Sequence, residues 1–163
     1  MYHVLQMGMG PIGLAVSRVL LQRKNATLIA GLDVDPELVG QDIGKLCHQG
    51  ATDVLVHDRL EPLLAEHRID VAIVTTHSQA SIVAKHITPL IEAGIPVITT
   101  CEELLYPFNT QPELAKELDE LAKKHETSIV GTGVNPGFLM DYLPICATGL
   151  AESISHITVN RIQ

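Results

Sequence analysis

Short apolar runs alternate along this chain with longer stretches that are apolar on one side only. The short runs predict β-strands, because brief apolar segments bounded by Gly, Pro, Asn or Asp are typical of strands buried on both faces. The longer stretches repeat apolar residues three and four positions apart, which predicts helices with one buried face. We predict strands at residues 4–7, 27–32, 54–56, 71–75, 96–99 and 128–131, and helices at 12–23, 58–67, 79–93, 112–124 and 138–150.

This alternation predicts an α/β fold with a doubly wound parallel sheet, whose right-handed crossovers place helices on both faces. The chain has 163 residues, enough for one domain with a sizeable core, and we expect that domain to occupy residues 1–150. Residues 153–163 alternate apolar and polar side chains in the manner of a strand. We expect residues 151–163 either to complete the sheet or to begin a second domain.

A glycine-rich motif at residues 8–13 lies between the first predicted strand and the first predicted helix. A G-x-G-x-x-G motif in this context predicts a dinucleotide site: the first glycine permits a sharp turn, the second lets a pyrophosphate approach the backbone, and the third lets the helix pack closely. The helix N-terminus then presents unpaired N–H groups to the phosphates. A glycine-rich turn without a ligand is the alternative, which the surrounding pattern disfavours. We expect the cofactor to contact Gly8, Gly10, Pro11, Ile12 and Gly13.

An acidic residue at the end of the second predicted strand, Asp33, completes this fingerprint. We expect its carboxylate to accept hydrogen bonds from the adenosine ribose. A carboxylate repels a 2′-phosphate and Val34 offers no guanidinium to bind one, so NAD is the expected cofactor, with NADP as a possible substitute. Asp35, which precedes Pro36, is expected to cap the following helix. The alternative is that Asp33 also has only a capping role.

Composition and charge argue against several classes of partner. The formal charge of −8 and the pI near 5.4 disfavour nucleic acid and anionic membranes. No apolar run approaches the ~18 residues of a membrane span, and because Met1 leads directly into the first predicted strand we expect no signal or transit peptide. Three cysteines without a C-x-x-C pair are typical of a reducing compartment, so we expect a cytoplasmic protein. The eight histidines lack metal-ligand spacing, and no metal is expected.

The loop after the fourth predicted strand is a second candidate for ligand contact, because ligands of open α/β sheets bind beyond the carboxyl ends of the strands. Thr75 and Thr76 have small hydroxyl side chains that leave room for the nicotinamide ribose. Ser78 is expected to cap the helix that follows.

Two further loops follow the fifth and sixth predicted strands. In the first, Thr100 precedes two adjacent carboxylates, Glu102 and Glu103, which either occupy a first helical turn, where acids suit the dipole, or point at a reacting substrate. The residues alone do not decide between these two interpretations. In the second, residues 131–138 hold three glycines and a proline, and Asn135 is placed either to bond a nicotinamide carboxamide or to form a tight turn.

Four segments together resemble one enzyme group. They are residues 8–13, residues 33–44, ITTCEELLYP at 98–107 and GTGVNPGFLMD at 131–141. In these segments the chain is similar to the NAD(P)H-dependent amine dehydrogenases of the 2,4-diaminopentanoate dehydrogenase type, within the dihydrodipicolinate reductase-like superfamily. The resemblance covers only the N-terminal nucleotide-binding domain of that group.

The resemblance implies reversible oxidative deamination of a primary amine to a ketone and ammonia, with hydride transfer to nicotinamide. Glu102 is then expected to hold the amine nitrogen, with Glu103 as the second choice, and Asn135 and Phe138 to border the nicotinamide and substrate pocket. Members of the group have a second α+β domain that supplies much of the substrate pocket and the dimer contacts. A homo-oligomer is therefore expected for the full-length form, and NAD binding with little turnover for this chain alone.

Two other functions fit the same motifs. The first is dihydrodipicolinate reductase, although CEEL stands where resemblance to true reductases implies a glycine-containing loop. The second is a non-catalytic NAD-binding sensor, which would use the glycine motif and Asp33 but would give Glu102 no chemical task.

Overall fold

The computed structural model describes residues 1–160 and 162 and contains one parallel sheet of six strands within them. Each strand lies close to a predicted apolar run. The strands are β1 (Tyr2–Met7), β2 (Ala26–Leu32), β3 (Val56–His57), β4 (Val71–Val74), β5 (Val97–Thr99) and β6 (Ile129–Gly131).

Helices connect these strands. The α-helices in the described part of the chain are α1 (Pro11–Leu20), α2 (Ile43–Leu46), α3 (Leu60–Glu66), α4 (Ala80–Glu92), α5 (Pro112–Lys124) and α6 (Leu143–Thr148). A short 3₁₀ helix (Glu102–Leu104) follows β5, and a π-helix (Val134–Tyr142) follows β6 and runs into α6. Among these helices, none combines the length and the apolar character needed to cross a bilayer.

The strand order is β3-β2-β1-β4-β5-β6, so the chain winds outward in both directions from β1. All strand pairs are parallel, and Met7 lies in register with both Leu32 and Val74. The carboxyl ends of the central strands therefore meet at one edge of the sheet. The order reverses between β1 and β4, and the crevice at such a reversal is where open α/β sheets bind ligands. The predicted fold class is confirmed.

The core forms two clusters, as a sheet covered on both faces requires. In the larger one, Leu5 and Met7 of β1 pack with buried residues of α3, α4 and α5. In the smaller one, Leu28 of β2 and Val56 of β3 pack with α1 and α2. Both helix layers support the loops at the carboxyl edge of the sheet.

Several local predictions differ from the structure. A proline inside the predicted helix at 79–93 is expected to kink or split it, but α4 is continuous through Pro89, because the proline lies in its last turn and the neighbouring Leu90 and Ile91 are fully buried in the core. The predicted helix at 138–150 is instead the π-helix followed by α6. Residues 151–160 form no strand, whereas Arg161 and Gln163, at the end of the predicted strand-like run, lie outside the described residues. The domain boundary at residue 150 stays a prediction.

At the amino edge of the sheet, Asp70 joins β1 to the start of β4. Its Oδ2 accepts a hydrogen bond from the backbone N–H of His3 at 2.8 Å, and its Oδ1 accepts one from Arg68 Nε at 2.8 Å. These bonds favour the carboxylate, and they outweigh partial burial to lower the pKa of Asp70 from 3.8 to about 2.

We expect Asp70 to make the protein less stable in acid. A carboxyl group whose pKa is lower in the folded state stabilises the fold above its unfolded pKa, and that contribution is lost as the pH falls from 3.8 through about 2. Urea unfolding of the parent and of Asp70→Asn, measured from pH 6 to pH 2, should show a shallower acid loss in the variant. Glu66→Gln, at an exposed position, should retain the parent profile. Identical profiles for Asp70→Asn and the parent would contradict this assignment.

Candidate dinucleotide site

The glycine motif forms a tight turn between β1 and α1. Gly8 has a φ of +87°, and a Cβ there would lie 2.8 Å from the backbone oxygen of Thr75. A Cβ on Gly13 would collide with the backbone oxygen of Gly8, so α1 can approach β1 only with glycine at this position. A Cβ on Gly10 would meet no protein atom within 4 Å. Gly10 thus leaves open space in front of the helix N-terminus, as a site for a phosphate requires.

Asp33 ties this turn to the end of β2. Its Oδ2 accepts a hydrogen bond from the backbone N–H of Met9 at 2.6 Å, and its Oδ1 accepts one from the N–H of Asp35 at 3.0 Å. The side chain of Asp35 in turn accepts a bond from the N–H of Glu37 at 2.9 Å. Asp35 therefore caps a hydrogen-bonded turn at residues 36–40 rather than the α-helix that the sequence predicted.

A cleft of about 630 Å³ opens at the carboxyl edge of β1, β2, β3 and β4. Five of the predicted cofactor-binding residues line it, namely Gly8, Gly10, Asp33, Thr75 and Thr76. The other five lie outside its lining. Pro11 and Ile12 are exposed in the first turn of α1, and Gly13 is buried in the same helix. Thr100 follows β5, and Asn135 lies in the π-helix.

Sequence reasoning missed several residues of the cleft. Arg59 lines it from the start of α3, and Lys85, His86 and Pro89 line it from α4. His86 Nδ1 lies 2.9 Å from Thr76 Oγ1, which fixes the position of that hydroxyl. The available signal was the spacing of Lys85 and Pro89, because side chains four positions apart share one helix face.

The two adjacent carboxylates after β5 have different surroundings. Glu103 Oε2 accepts hydrogen bonds from the N–H of Ala80 at 2.9 Å and from Gln111 Nε2 at 2.8 Å. These two bonds lower the pKa of Glu103. The expectation that Ser78 caps α4 is wrong, because the carboxylate of Glu103 provides that cap.

Glu102 begins the 3₁₀ helix with an exposed side chain, and no hydrogen bond to its carboxylate forms among residues 1–160 and 162. The two acids therefore differ: Glu103 holds the start of α4, whereas the Glu102 carboxylate has no hydrogen-bond partner in the described part of the chain. Both lie on the β4–β5 side of the sheet, across the strand-order reversal from Asp33.

The loop after β6 is wound as a π-helix, a form that is often found at functional sites. Asn135 is half-buried in its first turn, and the amide of Gly137, with a φ of +104°, donates to Asp141 Oδ2 at 3.1 Å. The ring of Phe138 stacks on that of Tyr142 with centroids 6.0 Å apart, and both rings are exposed. The structure brings neither Asn135 nor Phe138 into the cleft beside Asp33. In the described part of the chain, no three His, Cys, Asp or Glu side chains come together as a metal site would need.

The strand order, the glycine turn and the acid at the end of β2 define a Rossmann-type dinucleotide-binding domain. Comparison with known proteins identifies the family within this class. The chain belongs to the family described as dihydrodipicolinate reductase, N-terminus, whose model matches residues 2–132.

Individual relatives agree with this family. The chain is 32% identical, over 98% of its length and 46% of the relative, to 2,4-diaminopentanoate dehydrogenase of Acetoanaerobium sticklandii. It is 24% identical, over 94% of its length and 55% of the relative, to 4-hydroxy-tetrahydrodipicolinate reductase of Mastigocladus laminosus. The solved structure of an amine dehydrogenase from Mycobacterium smegmatis matches with a TM-score of 0.85 and 30% identity, over 94% of this chain and 45% of that one. The chain spans about half the length of the curated relatives it matches. The resemblance recognised from the four sequence segments is confirmed.

Proposed function

We propose that this chain is the nucleotide-binding half of an amine dehydrogenase that converts a primary amine into a ketone and ammonia, with NAD as the preferred cofactor. The observation that carries the proposal is the difference in hydrogen bonding between the two acids after β5, Glu102 and Glu103. Both acids are exposed, but Glu103 is held by Ala80 and Gln111, whereas the Glu102 carboxylate has no hydrogen-bond partner among the described residues. The similarity to 2,4-diaminopentanoate dehydrogenase supports the same reaction class.

The residues of the cleft fit a dinucleotide. Gly10 leaves space for a pyrophosphate at the N-terminus of α1, and Asp33 presents a carboxylate beside Gly8 where the adenosine ribose would lie. Thr75 and Thr76, which line the cleft after β4, would hold the nicotinamide-side ribose of the cofactor. Its nicotinamide supplies the chemistry that side chains lack, since it accepts a hydride from carbon.

Glu102 would act on the substrate nitrogen. An amine enters as an ammonium ion, and its carbon can release a hydride only when the nitrogen lone pair is free. The Glu102 carboxylate would take the ammonium proton, after which the lone pair forms the C=N bond as the hydride leaves. Once this proton has passed to solvent, the restored Glu102 carboxylate would stabilise the positive iminium, and the addition of water to the iminium releases the ketone and ammonia. Asn135 and Phe138 are proposed to border the nicotinamide and the substrate.

A second candidate reaction is the reduction catalysed by dihydrodipicolinate reductases, which the family match and the Mastigocladus relative support. Amine-dependent reduction of NAD by a protein of the relatives' full length would favour the first candidate. Turnover with the cyclic dihydrodipicolinate-type substrate alone would favour the second. NADH binding without turnover of either substrate would favour a sensor. The cytoplasmic location and homo-oligomeric assembly stay predictions.

Asp33 should set the cofactor preference. We expect the parent chain to bind NADH about tenfold or more tightly than NADPH, because the Asp33 carboxylate repels a 2′-phosphate. Asp33→Asn should reduce that ratio mainly by weakening NADH binding, as calorimetric titration with both cofactors would show. Asp35→Asn is the matched control and should leave the ratio unchanged, because the Asp35 side chain caps a turn outside the cleft lining. Tighter binding of NADPH than of NADH by the parent chain would contradict the proposal.

A further inference from the structure

An amide side chain is buried in the central strand of the sheet. Gln6 lies in β1 between two core residues, Leu5 and Met7, and its side chain has no exposed surface. Its Nε2 donates to the backbone oxygen of Gly8 at 3.1 Å and to Thr75 Oγ1 at 2.9 Å. The Thr75 hydroxyl also donates to the oxygen of Gly8, at 2.9 Å. Gln6 of β1 and Thr75, the residue after β4, therefore both bond the Gly8 carbonyl, and each makes a longer contact to the Met7 carbonyl, at 3.3 and 3.4 Å.

Only half of the Gln6 amide is satisfied by hydrogen bonds. The other amide atom, Gln6 Oε1, is buried and has no hydrogen-bond partner among the described residues. An unsatisfied buried acceptor destabilises a fold relative to an apolar side chain of the same shape. Methionine matches glutamine closely in length and would fill the same space, so packing alone gives no reason for an amide at this position.

The position of the Gly8 carbonyl determines the geometry of the glycine turn. The Cα of Gly13 lies so close to this oxygen that a Cβ there would collide with it. Holding the oxygen in place therefore fixes the distance between β1 and α1, and with it the position of the first N–H groups of the helix. A binding turn that is already ordered loses less entropy when its ligand arrives.

We propose that Gln6 is a positioning residue for dinucleotide binding, which together with Thr75 holds the Gly8 carbonyl so that the glycine turn is ordered before the cofactor binds. The inference rests on the proposed function, because it concerns affinity for NAD(H). It adds a residue that lies beneath the turn and outside the cleft lining.

The test replaces the amide without changing the volume of the side chain. Gln6→Met should weaken NADH binding about tenfold, the equivalent of one or two neutral hydrogen bonds. Its unfolding midpoint in urea should equal or exceed that of the parent. Hydrogen exchange of the amides of residues 8–13, measured without NADH, should become faster in the variant. A purely structural role would instead lower stability and affinity together.

Thr127→Val is the matched control, because Thr127 also has a buried side-chain oxygen without a partner in the described chain, but lies after α5, away from the turn. It should change the unfolding midpoint in the same direction as Gln6→Met and leave the Kd for NADH unchanged.

Thr75→Val independently tests the hydrogen bond from the Thr75 hydroxyl to the Gly8 carbonyl. Its effect on affinity should be less than additive with that of Gln6→Met in the double variant, because both act on one carbonyl.

Each outcome has a distinct meaning. Parent-like NADH affinity in Gln6→Met would overturn the inference, as would a loss of stability in that variant, or additive effects in the double variant. If the parent chain itself fails to bind NADH, the proposed function fails together with the inference. Weaker binding with retained stability and faster exchange in the turn supports both.

Discussion

Replacing Gly10 by alanine is expected to weaken NADH binding by about ten- to a hundredfold and to leave the fold intact. The backbone of Gly10 is extended, with φ −65° and ψ −172°, and its Cβ would point into open space, so the free energy of unfolding should fall by no more than about 1 kcal/mol, the cost of alanine in place of glycine at an N-cap. The added methyl group would instead keep a phosphate from the helix N-terminus. One hydrogen bond to a charged group contributes about 1.5–3 kcal/mol, which corresponds to that loss of affinity.

Gly13→Ala, in the same motif, should instead destabilise the fold. Its Cβ would collide with the Gly8 carbonyl, so α1 must move away from β1 at a cost of about 1–3 kcal/mol or more. Urea unfolding and NADH titration of both variants separate the two roles. A Gly10→Ala protein that binds NADH as tightly as the parent would show that no phosphate lies against this residue.

Local signals in the sequence predict a large part of the fold. Helix α5 begins at Pro112 and ends at Lys124, as expected, since proline in the first turn and lysines in the last are signals that adjacent residues carry. The central strands were predictable for a similar reason, because their apolar runs are buried in the sheet, whereas Val130 of the edge strand β6 is half exposed. The glycine turn combines three residue-specific requirements in six positions, which is why its geometry could be predicted.

Contacts between distant residues account for what the sequence did not reveal. The carboxylate of Glu103 caps α4 by accepting a hydrogen bond from the N–H of Ala80, which lies 23 residues earlier in the chain. The sequence instead predicted the nearby Ser78 as the cap. The two interpretations of the adjacent acids could be separated only by seeing this contact. The sequence shows Gln6 as an amide in an apolar strand, but the positioning role proposed for it depends on a contact with Thr75, which is 69 positions away.

The loop after β6 shows another limit. Glycine and Asn-Pro in residues 131–138 predict a turn before a helix, and the chain there forms a π-helix instead. A π-helix depends on i to i−5 hydrogen bonds, such as that from the N–H of Phe138 to the oxygen of Gly133 at 3.1 Å, and residue periodicity does not distinguish these from ordinary helical bonds. The placement of Asn135 and Phe138 relative to a substrate therefore stays a prediction.

Glu102→Gln should give the largest effect on turnover. Because the chain spans about half of its curated relatives, kcat is measured in a protein of their full length that carries this chain. Glutamine keeps the size of the side chain but cannot take the ammonium proton, so kcat for amine oxidation should fall by about 10²–10⁴-fold, the usual contribution of a general base. The Kd for NADH should stay within about twofold of the parent, since Glu102 lies outside the cleft that contains Asp33.

Glu103→Gln is the matched comparison one residue away. Its amide oxygen can still accept from Ala80 N–H, so kcat should fall far less, whereas the urea midpoint should fall because a neutral acceptor caps a helix N-terminus less well than a carboxylate does. Equal losses of kcat in the two variants would mean that the pair acts through the shape of the loop. An unchanged kcat in Glu102→Gln would show that Glu102 transfers no proton. The Glu102 carboxylate would then have to serve substrate binding, and the KM for the amine would be higher in the variant than in the parent.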